Sequence, residues 1–208
     1  MMSSSIQMPR EACVGLQGEV AQLRHGDLDA LSALLTRYQN RLYRYLLRMV
    51  RNQAEAEDLF QQTWVRVAEK IRRYDPSRNF EPWLFALARN LAIDHLRRVR
   101  PESLDEPIGN GESAETAAAR IPSGQRPVTD EILQRERRSR LGQALETLPV
   151  SYREVLTLRF EEEMKLEEIA EVMGTPLSTV KTRLRRALGM MKLELESRFP
   201  GEDWRGQN

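Results

Sequence analysis

Lys181, Thr182, Arg183, Arg185 and Arg186 crowd cationic and hydroxyl side chains into one short stretch with no acid among them. Groups of these types bind phosphate oxygens, or donate to acceptors on base edges, with arginine and lysine suited to guanine. Such contacts need a rigid element beneath them. Val180, Leu184 and Leu188 recur every four residues, so a helix would turn them inward and leave the cations outside. Upstream, Ile169, Ala170 and Met173 make an apolar stripe that Gly174 ends as a C-cap able to adopt positive φ. Thr175 then caps the next helix, with Pro176 at its first position, where a missing N–H costs nothing. Thr175, Ser178 and Thr179 fall at that helix's N-terminus, where backbone N–H groups favour phosphate. The stretch KLEEIAEVMGTPLSTVKTRLRRA, Lys165–Ala187, is predicted to be a helix-turn-helix whose second helix enters the DNA major groove. A solvated pair of amphipathic helices shares the periodicity but does not account for the unbroken cationic face.

The elements around this motif are expected to be helical throughout. The chain has 208 residues, room for one large domain or two small ones. Aromatic residues are 6% of it and β-type alternation is scarce, which argues against strands. Cys13 is the single cysteine, so an intramolecular disulfide and a cysteine-based zinc site are both excluded. His25 and His95 have no partners at ligand spacing, and no metal or other cofactor is expected. The start MMSSSIQMPREA lacks the apolar core of a signal peptide, and no run approaches the ~18 apolar residues of a membrane span. A cytoplasmic protein without membrane insertion is the expectation.

A net charge of +1 is low for a DNA binder, because affinity rises with the phosphates neutralised. The bases are segregated, however. Arg37, Arg41, Arg44, Arg48 and Arg51 stripe one helix, and Arg97, Arg98 and Arg100 end another. An acidic patch, Glu161–Glu163 with Glu167, Glu168 and Glu171, directly precedes the cationic helix. The isolated protein is therefore expected to hold DNA poorly and to borrow affinity from a larger partner.

Residues 1–26 form an N-terminal segment with a short helix near Pro9–Arg24. A first domain is expected over 27–100. Its helices run over Asp27–Val50, from about Gln53 to Arg73, and from Pro82 to just before Pro101, with YDPSRN (Tyr74–Asn79) as a turn. Leu59, Phe60, Trp64, Val65, Val67, Ala68 and Ile71 are assigned to the inner side of the second of these. Residues 101–127 carry Pro101, Pro107, Pro122 and Pro127 with several glycines and acids, and read as a flexible acidic linker. Such a tether averages roughly 30 Å end to end and reaches roughly 90 Å stretched. Two modules so joined can touch one duplex a turn or two apart. The second domain spans 128–199, with helices over Thr129–Leu148 and from Ser151, where S-x-x-E (Ser151, Glu154) reads as a capping box. A tail over 200–208 is expected to fray.

The block Leu34–Arg98 carries AEDLFQQTWVRV and FEPWLFALARNLAID, and the block Ala144–Leu188 carries the helix-turn-helix. In this order, over about half the chain, they resemble the second and fourth conserved regions of bacterial extracytoplasmic-function sigma factors. Ser178 stands where many members carry glycine. The resemblance implies an all-α protein of two small helical domains with no catalytic role. It would bind core RNA polymerase, direct it to promoters and help open the strands. The resemblance implies that Asp58, Leu59, Gln61, Gln62, Trp64 and Arg66 form the polymerase-binding block; Asp58, Gln61, Gln62 and Arg66 share one helix side. Tyr74, Arg78, Asn79, Phe80 and Trp83 would capture a flipped base of the −10 element, and Asn90, Asp94, Arg97 and Arg98 would follow the strand. Phe80 and Trp83 equally fit a core. At the −35 element the implied contacts are Lys181, Thr182, Arg183, Arg185 and Arg186, helped by Thr175, Ser178 and Thr179. Core polymerase, promoter DNA and an anti-sigma protein are the implied partners, with no small-molecule substrate.

Other classes fit less of the chain. A stand-alone operator-binding regulator leaves Leu34–Arg98 without a role, and a helical adaptor leaves the cationic face unexplained. An enzyme would need a phosphate loop, a metal cluster or a nucleophile with its base, and none is legible.

Overall fold

The computed structural model describes residues 10–99 and 128–200, and every regular element among them is helical. The linker expected over 101–127, the first nine residues and the tail from 201 lie outside the described residues, as does Arg100. Four helices precede the linker: α1 (Arg10–Arg24), α2 (Leu28–Val50), α3 (Gln53–Lys70) and α4 (Phe80–Val99). Four follow it: α5 (Val128–Thr147), α6 (Val150–Leu156), α7 (Leu166–Met173) and α8 (Leu177–Arg198).

Local chemistry sets the boundaries. Asp27 caps α2 by accepting from the Asp29 N–H at 2.9 Å, and Asn52 caps α3 by accepting from the Glu55 N–H at 3.2 Å. Arg51 ends α2 in the left-handed region at φ 61°, its N–H returning to the Leu47 carbonyl. α3 stops at Lys70, and Ile71–Arg73 tighten into a 3-10 turn rather than continuing the α-helix. Val65 and Ala68, expected inside, face outward, with Val65 57% exposed. α6 begins at Val150, with Pro149 in the N-cap position, so Ser151 is already inside the helix and the expected capping box does not start it. It continues into a π turn, Thr157–Glu161, which carries the acidic residues Glu161 and Glu162 back towards α2.

In the helix-turn-helix, Ile169, Val172 and Met173 are buried and Gly174 ends α7 at φ 59°. The start of α8 lies one residue later than expected. Pro176, not Thr175, occupies the N-cap position because its φ −57° and ψ 145° are not yet helical. The inner stripe of α8 is also shifted: Val180, Ala187 and Leu195 are buried, while Leu188 is 45% exposed.

The apolar core is continuous from the first block to the second. Leu34, Leu42, Leu46, Phe85 and Ala88 belong to the same buried cluster as Val155, Leu158, Ile169 and Val172. α7 lies against α4, and α6 with its π turn lies against α2.

Candidate nucleic-acid interface

The turn between α3 and α4 is built around its own side chains. Asp75 Oδ1 accepts from the Ser77 N–H at 3.0 Å and from its hydroxyl at 2.7 Å, an Asx turn that holds the Asp75 carboxyl below its usual range. The Tyr74 hydroxyl donates to the Arg78 carbonyl, tying the loop back to its start. Tyr74 and Phe80 are buried beneath this loop, and Trp83 lies half-buried over them, with ring centroids 4.8 Å and 5.5 Å away. Tyr74 and Phe80 thus form the base of an aromatic nest, and Trp83 is its partly accessible member. Arg78 and Asn79 are exposed at its rim. Along α4, Asn90, Asp94, Arg97 and Arg98 are exposed, with Arg97 and Asp94 4.0 Å apart.

On α3, Asp58, Gln61, Gln62 and Arg66 are exposed and line a shallow open groove with Val65 and Glu69. Leu59 and Trp64, also expected in this block, are 3% and 6% exposed. They hold the helix onto the core and leave the polar row facing solvent. Arg66 is paired with Glu69 at 3.1 Å, an exposed i,i+3 contact of little energetic weight.

On α8, Lys181, Thr182, Arg185 and Arg186 are exposed, as is Ser178, while Thr175, Thr179 and Arg183 are half-buried. The Thr182 hydroxyl donates to the Ser178 carbonyl at 3.0 Å. Arg183 faces back towards the buried Glu154 closely enough to favour its charge, so it differs from the outward cations beside it.

A set of charged residues that local sequence reading leaves as solvated faces joins the two blocks. Glu154 of α6 accepts at Oε1 from Arg89 Nε (2.7 Å) and from the Tyr45 hydroxyl (3.1 Å). Glu162 accepts at Oε2 from Arg41 Nε (2.7 Å), and Arg41 also pairs with Glu81. Arg48 lies 3.2 Å from Glu161 and 3.5 Å from Glu146, and Arg153 donates to the Met49 carbonyl at 3.2 Å. Burial raises the Glu154 and Glu162 carboxyls above the usual range, partly offset by Arg89 and Arg41 respectively. Burial and Glu154 push the Tyr45 hydroxyl well up. For Arg41, burial works against the charge, but Glu81 and Glu162 outweigh it and hold the guanidinium firmly protonated.

The arginine stripe of α2, which the sequence alone presents as basic surface, is therefore largely paired within the protein: Arg37 with Glu19, Arg41 with acids of both blocks, and Arg48 with two acids of the second. Two acids from the same patch touch the loop. Asn79 Nδ2 donates to Glu168 Oε1 at 2.9 Å, and Arg78 lies 3.6 Å from Glu171. For the contacts that join the two blocks the partners are 89 or more residues apart in sequence, except Arg89–Glu154, at 65; within the first block Arg41–Glu81 and Arg37–Glu19 are 40 and 18 apart. No local pattern announces them.

Among the described residues no helix is long and apolar enough to cross a membrane. Residues 34–102 match the Sigma-70 region 2 family, and residues 138–191 match Sigma-70, region 4. The chain is similar to the ECF RNA polymerase sigma factor SigW of Bacillus subtilis, 31% identical over 181 residues, covering 86% of this chain and 96% of the relative. It is similar also to the RNA polymerase sigma factor CarQ of Myxococcus xanthus, 33% identical, covering 84% and 98%. Among solved structures, CnrH in complex with the cytosolic domain of CnrY shares the fold with TM-score 0.63, at 23% identity and coverage of 87% and 97%. RpoE in complex with the anti-sigma factor NepR from Bartonella quintana shares it with TM-score 0.60, at 22% identity and coverage of 79% and 96%.

Proposed function

Since the chain belongs to the extracytoplasmic-function sigma factors of the sigma-70 family and directs RNA polymerase to promoters, we propose how its surfaces divide that work. The exposed row Asp58, Gln61, Gln62 and Arg66 docks on core polymerase, with Leu59 and Trp64 fixing α3 from beneath. The Tyr74–Asn79 loop takes an extruded base of the −10 element. Extrusion costs a few kcal/mol, and stacking on Trp83 recovers on the order of 1–3 kcal/mol. Arg78 and Asn79 supply donors to the base edge or phosphate. Asn90, Asp94, Arg97 and Arg98 guide the opened strand. On α8, Lys181, Thr182, Arg185 and Arg186 contact the −35 element, and the N-terminal Thr175, Ser178 and Thr179 hold a phosphate. Arg183, half-buried where those four are exposed, joins them from the inner edge of that surface. It is a sigma factor, a non-enzymatic initiation factor.

The observation that carries this reading is the half-exposed Trp83 over a buried aromatic base, with Arg78 and Asn79 at its rim. The test is reconstitution with core polymerase on a promoter library. Promoter-specific initiation is expected, with strand opening lost on Trp83→Ala before promoter binding is lost. No specific initiation overturns the assignment. An anti-sigma partner is proposed on the weaker ground that RpoE was solved with one. Co-purification from cells with tagged protein would identify it.

A further inference from the structure

Helix α1 lies outside both matched regions, which span residues 34–102 and 138–191. It nevertheless packs against the Ile71–Arg73 turn that leads into the Tyr74–Asn79 loop. Val20 and Leu23 of α1 are buried in the same cluster as Ile71, Tyr74 and Phe80, the floor of the aromatic nest. Glu19 ties the helix to Arg37 of α2 at 2.8 Å. Arg24 is the last residue of α1 and is half-buried. Its Nε is buried without a hydrogen-bond partner, and its terminal nitrogens reach solvent with no hydrogen bond or ion pair among the described residues. A guanidinium with donors to spare, beside a loop that takes a nucleotide, has the phosphate of that same strand as its chemical complement. We propose that Arg24 holds the backbone phosphate of the nucleotide whose base enters the Tyr74–Asn79 loop, which makes α1 part of the −10 site.

The proposal rests on the role given to the loop, and three observations carry it. The first is the placement of the side chain. Burial of Nε pins the stem, so the guanidinium fork is held in position before any ligand arrives and loses little freedom on binding. The second is charge. Asp75 is bonded twice by Ser77 and stays ionised, which sets a negative charge at the entrance of a loop that must admit an anionic strand. Arg24 lies close enough to Tyr74 and Asp75 for its charge to favour the ionised form of each. The same cation offsets the repulsion a phosphate would meet there. The third is the order of groups around the loop. Arg24 adjoins its first residues, Tyr74 and Asp75, while Arg78 and Asn79 are its last. A base stacked on Trp83 is then read from one end of the loop and its phosphate is held from the other. Arg72 and Arg73 are exposed on the turn that α1 packs against and form no ion pair among the described residues. They add positive potential to the same border, without the fixed placement of Arg24.

The test uses holoenzyme reconstituted from the full chain and core polymerase, on a promoter recovered from the library and supplied with a pre-opened −10 segment. The probe is a methylphosphonate linkage, which removes the charge of one phosphate, scanned through the non-template strand of that segment. One of the two linkages flanking the extruded base is expected to weaken binding by wild type about tenfold, the scale of a hydrogen bond between charged groups. Arg24→Gln should weaken binding to the unmodified strand by about the same factor and lose its response at that one linkage. It should also lower the salt dependence of binding by about 0.7 in slope, one phosphate of a single strand. Arg24→Lys keeps the charge and should recover most of the binding. A variant that merely folds poorly would bind every strand more weakly and still respond at that linkage. If Arg24→Gln responds at each linkage as wild type does, or if Asp75→Asn cancels its loss, Arg24 only supports the loop and the inference is overturned. Trp83→Ala on the same promoter as intact duplex decides the loop separately. Strand opening lost on Trp83→Ala keeps the reading of the loop even where Arg24 shows no coupling to a phosphate. Opening left intact removes that reading and the role of Arg24 together.

Discussion

With Tyr74 and Phe80 buried and Trp83 half exposed above them, Trp83 is the member of the nest with a face open to solvent, and the proposed reading gives that face to an extruded base. Its side chain also closes the core, so Trp83→Ala should lower both folding stability and activity. The stability loss should be about 2 kcal/mol, below the ~3–5 kcal/mol of a fully buried tryptophan. Strand opening should fall by a further ~1–3 kcal/mol of lost stacking. Permanganate footprinting of opened promoter, set against gel-shift binding of the closed complex at low temperature, separates the two. Equal losses would make Trp83 purely structural. Trp83→Phe should restore most opening. On α8 the argument rests on exposure rather than packing. Arg185→Ala or Arg186→Ala should cost about 1–3 kcal/mol at a cognate −35 element if a base is read. A merely phosphate-binding arginine would instead weaken all sequences alike and flatten the salt dependence, which titration against mutated −35 elements resolves.

At the scale of elements, two left-handed residues end helices and carry opposite predictions. Gly174 closes α7 at φ 59°, and an added Cβ would meet nothing within 4 Å. Gly174→Ala should therefore cost only the backbone preference, about 1 kcal/mol, read as a lower urea midpoint at unchanged slope. Arg51 ends α2 in the same region at φ 61°, so Arg51→Gly should raise stability by about 0.5 kcal/mol, strain relieved less the freedom glycine gains in the unfolded chain. These ends show what the sequence makes legible. Asp27, Asn52 and Gly174 signal boundaries through side-chain or backbone chemistry within four residues, and each marks its boundary in the structure. Ser151–Glu154 matches a capping pattern equally well. There the competing partners Tyr45 and Arg89, 109 and 65 residues away in sequence, draw the glutamate inward. The polar row on α3 and the cations of α8 are readable because exposure follows helical period. The arginines of α2 are not, because pairing with acids of a distant block has no period at all.

For the whole molecule, the buried carboxylates make the closed packing of the two blocks against each other depend on pH. Glu154 faces Tyr45 from α2, Arg89 from α4 and Arg183 from α8, and Glu162 faces Arg41 and Arg44 from α2 and Glu81 from α4. In each case burial outweighs the arginines, so the closed-state carboxyl holds its proton to higher pH than it would in water. The closed form thus binds more protons than the separated one. Linkage then favours closure as pH falls through the raised values, with no further gain below the ordinary carboxyl range, and favours separation as pH rises. Arg41 stays charged across this window, held so by its two carboxylates. Lowering the pH from neutrality towards the ordinary carboxyl range should therefore increase the short-distance population between spin labels at Ser77→Cys and Glu167→Cys, with Cys13→Ser, in the polymerase-free chain. Glu154→Gln combined with Glu162→Gln keeps an acceptor at each position and removes both titrations, so its distance distribution should be flat over that range. A wild-type population that opens on acidification would reverse the sign. It would mean that the ion pairs with Arg41 and Arg89, rather than the cost of burying their carboxylates, govern when the two blocks part.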